Sequence, residues 1–307
     1  MKSWQRVDFS LISRMFAVLM GIVGLDVLFV WFIHYELQWP WWFEVGIGMI
    51  VAMIMILGGI IVSPRLFMEQ AGQPLAPEWQ QRVERIAFLA DIPVPLLFMI
   101  SSPVANAFTV RSWRGKGYAI VVTSTLMNNL SEDEFDAVIA HEVAHIAHHD
   151  MTMILIAGSL NLMLSALMQR WWILGNLMSL RNSNNAANPV GMVMSAIMLT
   201  WILSTILVRL FSRYRELAAD KTATILLGTP YGLIKALQSC DDLNQSYTQE
   251  HGVRGRKARK RLPRDLRAVQ AAQLLGFTWT GMTKWSVLAS HPSTKQRITR
   301  LQRNWEQ

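Results

Sequence analysis

The segment HEVAHIAHHD, residues 141–150, concentrates four histidines, a glutamate and an aspartate in ten positions. Successive residues of an α-helix are rotated by about 100°, so on a helix His141 and His145 would lie about 40° apart on one face. Glu142 would lie beside them, about 60° from His145. Two imidazoles on one face can hold zinc, and an adjacent carboxylate can accept a proton from the water bound there. The HExxH spacing therefore predicts a zinc site with His141 and His145 as ligands and Glu142 as general base.

The alternative is that the spacing arose by chance on a surface helix. The neighbouring residues Ala144, Ile146 and Ala147 are apolar, which predicts a half-buried helix. An unpaired histidine or glutamate on such a helix would carry a large desolvation cost. The metal site is therefore the favoured interpretation.

His148 also falls on this helical face and competes for the third ligand position. It would lie about 10 Å along the axis from His141, too far for both to bind one ion at zinc–nitrogen distances of about 2 Å. The longer metzincin pattern also fails, because it requires glycine where His148 stands and histidine where Met151 stands. We interpret His148 and His149 as polar residues at a membrane interface.

The surrounding sequence predicts the elements that position this motif. Ser131 and Glu134 form a capping box that opens an amphipathic helix through HExxH. Upstream, residues 75–92 have helical periodicity, and three short runs rich in β-branched and aromatic residues predict strands. The turn WRGKG would join the last two strands as a hairpin. The predicted strands are residues 95–102, 106–112 and 118–124.

The composition predicts a membrane protein. Apolar residues make up 52% of the 307 positions and charged residues only 16%, which is too apolar for an ordinary soluble domain. A spanning helix needs about 20 apolar residues. Four windows meet this requirement, and only the first contains a charge, Asp26. The windows are residues 15–33, 45–63, 151–169 and 190–208.

The distribution of Lys and Arg predicts the orientation, because these residues are enriched in cytoplasmic loops. Three precede the first window, none lies between the first two, two lie between the third and fourth, and eighteen follow the fourth. Both termini and segment 64–150 are therefore expected on the cytoplasmic side of the inner or plasma membrane.

A third metal ligand must come from elsewhere on the same side. Segment SRYRELAAD, residues 212–220, places Glu216 and Asp220 four residues apart on one helical face. Glu216 can complete a His, His, Glu site with a position open to water, and Asp220 can hydrogen-bond a ligating imidazole. Such charges beside a membrane helix are more often solvated, but the HExxH helix makes them the best candidates. Arg213 and Arg215 either hold these carboxylates or contact lipid head groups.

In these features the chain resembles the HtpX group of integral-membrane zinc metallopeptidases, relatives of the CaaX prenyl proteases. The resemblance covers most of the chain in order: two spans, NAF at 106–108, HEVAHIAHHD, two spans, SRYRELAAD, and HPSTKQRI at 291–298. It implies an endopeptidase of the gluzincin type with one Zn²⁺ per chain, bound by His141, His145 and Glu216. By the same resemblance, the substrates are misfolded or damaged membrane proteins.

The resemblance also implies roles for residues that spacing alone leaves unassigned. Asn106, Ala107 and Phe108 are expected at the edge of the cleft, where a strand pairs with the substrate backbone. His291, as a second catalytic residue, and Arg297, near the ligands, are expected to stabilise the tetrahedral intermediate. A second interpretation of residues 291–293, compatible with the first, is a helix N-terminus capped by the serine.

The resulting expectation for the fold is a mainly α polytopic membrane protein. It has four transmembrane helices and a cytoplasmic α+β metallopeptidase domain with a small β-sheet. The N-terminal helical hairpin and the second transmembrane pair alternate with the two halves of the peptidase domain. The four predicted segments are residues 1–63, 64–150, 151–208 and 209–307.

Residues 254–267 carry eight basic side chains against one aspartate, from Arg254 to Arg267. Beside a membrane, such a segment is attracted to anionic lipid head groups, at about 1 kcal/mol per basic residue. Nucleic-acid binding is not expected, because no binding module or interleaved aromatic residues accompany it. A solvated loop is the commonest role of such a segment.

Two other functions share part of this pattern. A membrane zinc transporter or sensor that cleaves nothing would use the surplus histidines together with Asp26 and Glu44, which lie in or near the spans. A peptidase that processes prenylated proteins would share the zinc chemistry and differ in its substrate.

Overall fold

The computed structural model describes residues 9–37, 75–111, 117–154, 189–250 and 292–306, together with ten isolated positions between these ranges. The described residues form two compact units, one from 75–151 and 213–306 and the other from 9–53 and 152–212. The helices of the described ranges are α1 (Phe9–Leu37), α2 (Pro77–Ala90), α3 (Ser124–Asn129), α4 (Glu132–Ala147), α5 (Pro189–Leu227), α6 (Tyr231–Glu250) and α7 (Thr294–Trp305). The strands are β1 (Leu96–Ile100), β2 (Ala107–Arg111) and β3 (Tyr118–Thr123).

The three strands form one sheet in the order β1-β3-β2. Strand β3 pairs in parallel with β1 and antiparallel with β2, so that Val121 lies opposite both Phe98 and Phe108. The sequence prediction of three strands is confirmed, as is the antiparallel pairing of the last two. Most of the predicted turn between them lies outside the described residues. Within the described sheet, β2 is an edge strand.

Helix α4 begins at the predicted capping box. The Ser131 hydroxyl accepts a hydrogen bond from the Glu134 backbone N–H, and the Ser131 N–H donates to the Glu134 carboxylate at 2.8 Å. The prediction of an amphipathic, half-buried helix is wrong, because every side chain from 134 to 146 is buried. Helices α2 and α6 and strands β2 and β3 all pack against it. Polar residues that would face solvent on an ordinary amphipathic helix therefore need partners inside the protein.

The main hydrophobic core fills the space around α4. Helix α2 contributes Val83 and Ile86, α4 contributes Val138 and Ile139, and α6 contributes Leu237 among others. Helix α2 starts with Pro77 and has four buried residues on one face, as its periodicity predicted. This packing fixes the axis of α4, and with it the direction in which the HExxH side chains point.

Two helical stretches of the described residues are long and apolar enough to cross a membrane, Ser10–Phe32 in α1 and Ser195–Leu227 in α5. Large apolar side chains on α1 are exposed, with 63% of Leu28 and of Trp31 accessible. These stretches contain all or most of the first and fourth predicted spans and indicate a membrane location. The second and third predicted spans, 45–63 and 151–169, lie mostly outside the described residues, so the number four stays a prediction.

Helix α6 packs closely against α4 at Gly232. A Cβ atom there would lie 2.9 Å from the backbone oxygen of Asp133. In an ordinary helix, replacing glycine by alanine stabilises by about 1 kcal/mol. We expect Gly232→Ala to destabilise instead, by about 1–3 kcal/mol, because backbone atoms must move apart. Thermal unfolding of the detergent-purified protein measures the change.

Gly24→Ala is the matched control, since no atom of the described residues lies within 4 Å of a Cβ built at that helical position. It should leave the melting temperature unchanged or raise it. An equal gain in stability for both variants would show that the contact between α6 and α4 does not constrain residue 232.

Candidate metal centre

Helix α4 brings three predicted site residues together, as the helical spacing required. His141, Glu142 and His145 are 0%, 0% and 5% exposed. The Nε2 atoms of the two histidines are 3.1 Å apart, and their rings are nearly perpendicular. Both imidazoles therefore direct the same nitrogen towards one point.

Glu216 on α5 supplies the third donor at that point. Its carboxylate oxygens lie 3.5 Å from Nε2 of His141 and 3.5 Å from Nε2 of His145. One ligand atom from each of the three residues lies within 4.8 Å of the others. A tetrahedral ion with bonds of about 2.0–2.1 Å separates its ligands by about 3.3 Å. The spacing of these donors therefore fits a single ion of that size.

His148 is not part of this group. Its Nε2 atom lies 3.1 Å from the Thr222 hydroxyl, and burial lowers its pKa below the ordinary histidine value. The exclusion of His148 from the ligand set, argued from its distance along the helix, agrees with this position. A neutral imidazole hydrogen-bonded to a threonine has a structural role here.

Asp220 and Arg297 lie directly behind His141. Asp220 Oδ1 is 3.0 Å from His141 Nδ1, and Arg297 binds the same carboxylate through Nε at 2.8 Å and Nη2 at 2.5 Å. A hydrogen bond at Nδ1 leaves Nε2 deprotonated and available as a ligand. Asp220 thus lies where the sequence analysis placed it. Arg297 is 2% exposed and bound to the aspartate that contacts His141, and its predicted role at the tetrahedral intermediate stays a prediction.

A matching chain of partners lies behind His145, and the sequence analysis missed it. Asp150 Oδ2 is 2.5 Å from His145 Nδ1, and Arg215 Nε is 3.3 Å from the same oxygen. Burial would raise the pKa of Asp150, but Arg215 and His145 hold it below the ordinary aspartate value. The sequence analysis assigned no role to Asp150. The signal that could have found it is an acid shortly after HExxH.

Helix α4 ends between His145 and Asp150, where one residue has an unusual backbone conformation. His149 has φ of 55°, in the left-handed region that few residues other than glycine adopt. It follows directly on His148, the C-terminal cap of α4. This turn returns the next residue towards the last turn of α4. The carboxylate of Asp150 can therefore reach the histidine five positions earlier.

The two arginines after the fourth predicted span have different partners. Arg215 pairs with Asp150 and lies 4.0 Å from Glu216, so it belongs to the buried cluster. Arg213 Nη2 instead donates to Gln296 of α7 at 3.1 Å. Neither alternative from the sequence covered the contact between Arg213 and α7.

The buried cluster carries an excess of negative charge. Among the described residues it contains four carboxylates and two guanidinium groups, all at most 5% exposed. With both histidines neutral, its net charge is minus two. The carboxylates are those of Glu142, Asp150, Glu216 and Asp220, and the guanidinium groups those of Arg215 and Arg297. Burial alone would lower the pKa of His141, but hydrogen bonds to Asp220 and Glu216 outweigh it and raise the pKa to about 9. A site that favours a proton on this imidazole is one that calls for a cation. A divalent ion would neutralise the cluster.

The predicted cleft residues lie at the start of the edge strand β2. Asn106, Ala107 and Phe108 are all buried. No hydrogen-bond partner is found among the described residues for either amide atom of the Asn106 side chain. The Asn244 side chain of α6 binds both backbone groups of Ala105, at 2.8 and 3.0 Å, and so fixes this segment. The strand is present as predicted, and its role towards substrate stays a prediction.

The C-terminal motif is described only in part. His291 and the basic segment 254–267 lie outside the described residues. Ser293 caps α7, as predicted, because its hydroxyl accepts a hydrogen bond from the Gln296 N–H at 3.3 Å. One turn later the same helix places Arg297 on Asp220. The predicted catalytic role of His291 stays a prediction.

Comparison with known proteins agrees with this geometry. Residues 74–305 match Peptidase family M48. A "Protease HtpX homolog" of Moorella thermoacetica is 30% identical over 96% of this chain and 95% of its own length. The chain belongs to peptidase family M48 and to its HtpX group. A "Protease HtpX homolog 1" of Streptomyces coelicolor is 34% identical over 74% of this chain and 70% of its own length, and a "Protease HtpX homolog 2" of Methanosarcina mazei is 26% identical over 98% and 97%.

The predicted resemblance to HtpX is thereby confirmed, and this M48 peptidase is a metalloprotease that acts on protein substrates. The alternative of a transporter or sensor that cleaves nothing has no support in these matches. Of the residues named for it, Glu44 lies outside the described part of the chain and Asp26 lies in α1.

Single changes at the donors should remove the metal. We expect His141→Ala, His145→Ala and Glu216→Ala each to reduce bound metal from about one ion per chain to a small fraction. Elemental analysis of the purified protein measures this. His148→Ala is the control, because it removes a neighbouring imidazole that bonds Thr222 instead. Equal metal content in all four variants would contradict this donor set.

The partner of His145 should affect metal affinity without being a ligand. Replacing such a partner usually weakens metal binding by about 10–100-fold. We expect a loss of this size in Asp150→Asn, measured by competition with a calibrated chelator. Asp242→Asn, on the exposed side of α6, should have no effect. An affinity within twofold of the parent would show that Asp150 does not orient His145.

Proposed function

We propose that this M48 peptidase is a zinc-dependent, membrane-embedded endopeptidase that hydrolyses peptide bonds at the cytoplasmic face of the membrane. The observation that carries the proposal is the convergence of His141, His145 and Glu216 beside the buried carboxylate of Glu142. Three protein donors with a fourth position for water are typical of catalytic zinc sites.

Zinc is the ion that these donors suit best. Two imidazole nitrogens and one carboxylate oxygen match the His, His, Glu set of other zinc peptidases. Magnesium and calcium prefer sites made only of oxygen ligands and a higher coordination number. The net charge of the cluster supports a divalent ion but does not by itself distinguish one transition metal from another. The choice of zinc therefore rests on the chemical types of the three ligands.

In the proposed reaction Glu142 moves the proton. A zinc ion held by the three donors would lower the pKa of its water to about 7 and polarise the scissile carbonyl. Glu142 accepts a proton from the attacking water and later donates it to the leaving amine. Asp220 and Asp150 keep the Nδ1 protons of the two histidines in place. Burial of all these groups strengthens their electrostatic interactions.

For the topology we propose four spans, with both termini and the active site in the cytoplasm. The basic residues that precede the first span and follow the fourth support this orientation. In this arrangement residues 1–63 and 151–208 lie in the membrane. Residues 64–150 and 209–307 then form the two halves of the peptidase domain.

We further propose that the substrates are membrane proteins, with misfolded or damaged ones as the natural targets. The resemblance to HtpX and a membrane location support this proposal. Anionic lipids are the proposed partners of segment 254–267, whose basic residues would be attracted to the head groups. Nucleic acid is not among the proposed partners.

The decisive variant is Glu142→Gln, which keeps the shape of the base and removes its charge. We expect it to bind one zinc ion per chain and to lose about 10²–10⁴-fold in the rate of cleavage of an unfolded membrane protein. Zinc content and the appearance of cleavage products are both measured on the purified protein. Glu306→Gln, an exposed glutamate beyond α7, is the control.

Cleavage by Glu142→Gln at the rate of the parent protein would contradict the proposed role of Glu142. A chelator that leaves the parent fully active would contradict the role of the metal. An assay on a prenylated peptide, run beside the unfolded protein, tests whether prenyl-protein processing describes the substrate better.

A further inference from the structure

Thr109, which no sequence motif singled out, contacts the proposed base directly. It lies in the edge strand β2, and its Oγ1 hydroxyl donates to Oε2 of Glu142 at 2.8 Å. Thr109 is 4% exposed and Glu142 is 0% exposed. A hydrogen bond from a neutral donor to a buried carboxylate is stronger than one between two neutral groups. The threonine is therefore a strong constraint on how the glutamate is oriented.

The two oxygens of Glu142 are in different situations. Oε2 accepts the bond from Thr109, whereas no hydrogen-bond partner is found for the buried Oε1 among the described residues. A buried carboxylate oxygen without a partner is costly unless a water or an ion completes it. Oε1 is therefore the oxygen of Glu142 that is available to a water molecule or an ion.

We propose that Thr109 is a positioning residue that holds Oε2 of Glu142, so that Oε1 alone takes part in proton transfer. This proposal rests on the assignment of Glu142 as the base. A free glutamate side chain loses up to about 2 kcal/mol of rotamer entropy when it is fixed in one conformation. The hydroxyl fixes the carboxylate before the substrate binds, which removes that cost from the reaction step.

The proton balance follows from this arrangement. As the water oxygen forms its bond to the scissile carbon, one of its protons passes to Oε1, because Oε2 already accepts the hydrogen bond from the Thr109 hydroxyl. When the carbon–nitrogen bond breaks, the proton on Oε1 passes to the leaving nitrogen. The hydroxyl proton of Thr109 stays in place throughout, and Glu142 returns to its starting form.

The hydroxyl is well placed for this role because the strand that carries it is hydrogen-bonded to β3. Thr109 pairs with Ile120 in the register of β2 and β3. At the start of the strand, the Thr123 hydroxyl accepts a hydrogen bond from the Asn106 N–H at 2.9 Å, and the Thr123 N–H donates to Asn106 O at 3.0 Å. The sheet therefore holds the threonine at a fixed depth beside α4. Precise placement on a rigid element is what a positioning group requires.

The test uses the full chain purified with zinc and a quenched fluorescent peptide as substrate. Thr109→Val removes the hydroxyl and keeps the shape of the side chain. We expect kcat to fall about 10–100-fold, with KM within twofold, because the lost hydrogen bond acts on the base and not on peptide binding. Thr109→Ser restores the donor and should return kcat to within about threefold of the parent.

Thr205→Val is the matched control. The Thr205 hydroxyl donates to the backbone oxygen of Trp201 in its own helix at 2.7 Å, it lies in the other unit, and its loss should leave kcat unchanged. Zinc content should stay at one ion per chain in all these variants.

A second measurement is independent of activity. A double-mutant cycle in thermal unfolding, combining Thr109→Val with Glu142→Ala, reports the coupling between the two side chains. Thr109→Val should lower the melting temperature clearly when Glu142 is present and much less when Glu142 is alanine. Additive effects would show that the two side chains do not interact.

The outcomes separate this proposal from the one on which it rests. If Glu142→Gln is inactive while Thr109→Val keeps the kcat of the parent, Thr109 has no positioning role and the base assignment stands. A rise in KM alone, or a failure of Thr109→Ser to recover kcat, overturns the proposal in the same way. If Glu142→Gln itself is fully active, the base assignment fails and this inference fails with it.

Discussion

The unit formed by residues 75–151 and 213–306 is organised around charged side chains that are buried in an apolar interior. Isolated carboxylates in such surroundings would cost many kcal/mol, so each must meet a cation or a hydrogen-bond donor. Two arginines, from α5 and α7, meet two aspartates, and the aspartates in turn meet the Nδ1 atoms of the two histidines. What remains is a surplus of negative charge at the Nε2 side, where the three donors converge.

Local rules account for what the sequence predicted correctly. The helical period alone places His141, Glu142 and His145 together, and it places Glu216 and Asp220 on one face of α5. The capping box fixes where α4 begins, because both of its hydrogen bonds lie within four residues. The three strands follow from runs of β-branched and aromatic residues. In each of these cases the partners are close in sequence or repeat with the period of one element.

The remaining features depend on contacts that no local pattern contains. Arg215 reaches Asp150 across 65 positions and Thr109 reaches Glu142 across 33. The amphipathic pattern of α4 predicted that one face of the helix contacts solvent. That prediction was wrong because sequence periodicity does not distinguish a polar residue in contact with water from one bonded to a buried partner. Even Asp150, five residues from His145, is missed by a helical template, since a left-handed residue ends the helix between them.

Because of the left-handed turn at His149, the geometry of the metal centre depends on the number of residues between His145 and Asp150. Inserting or deleting one residue there would swing the aspartate away from the imidazole, although the HExxH motif itself would be untouched. The 71 positions between His145 and Glu216 carry no such restriction, because the third donor lies on a separate helix, α5. The spacing from HExxH to this acid is therefore a signature that a search for related centres can require, while the distance to the third ligand must be left open.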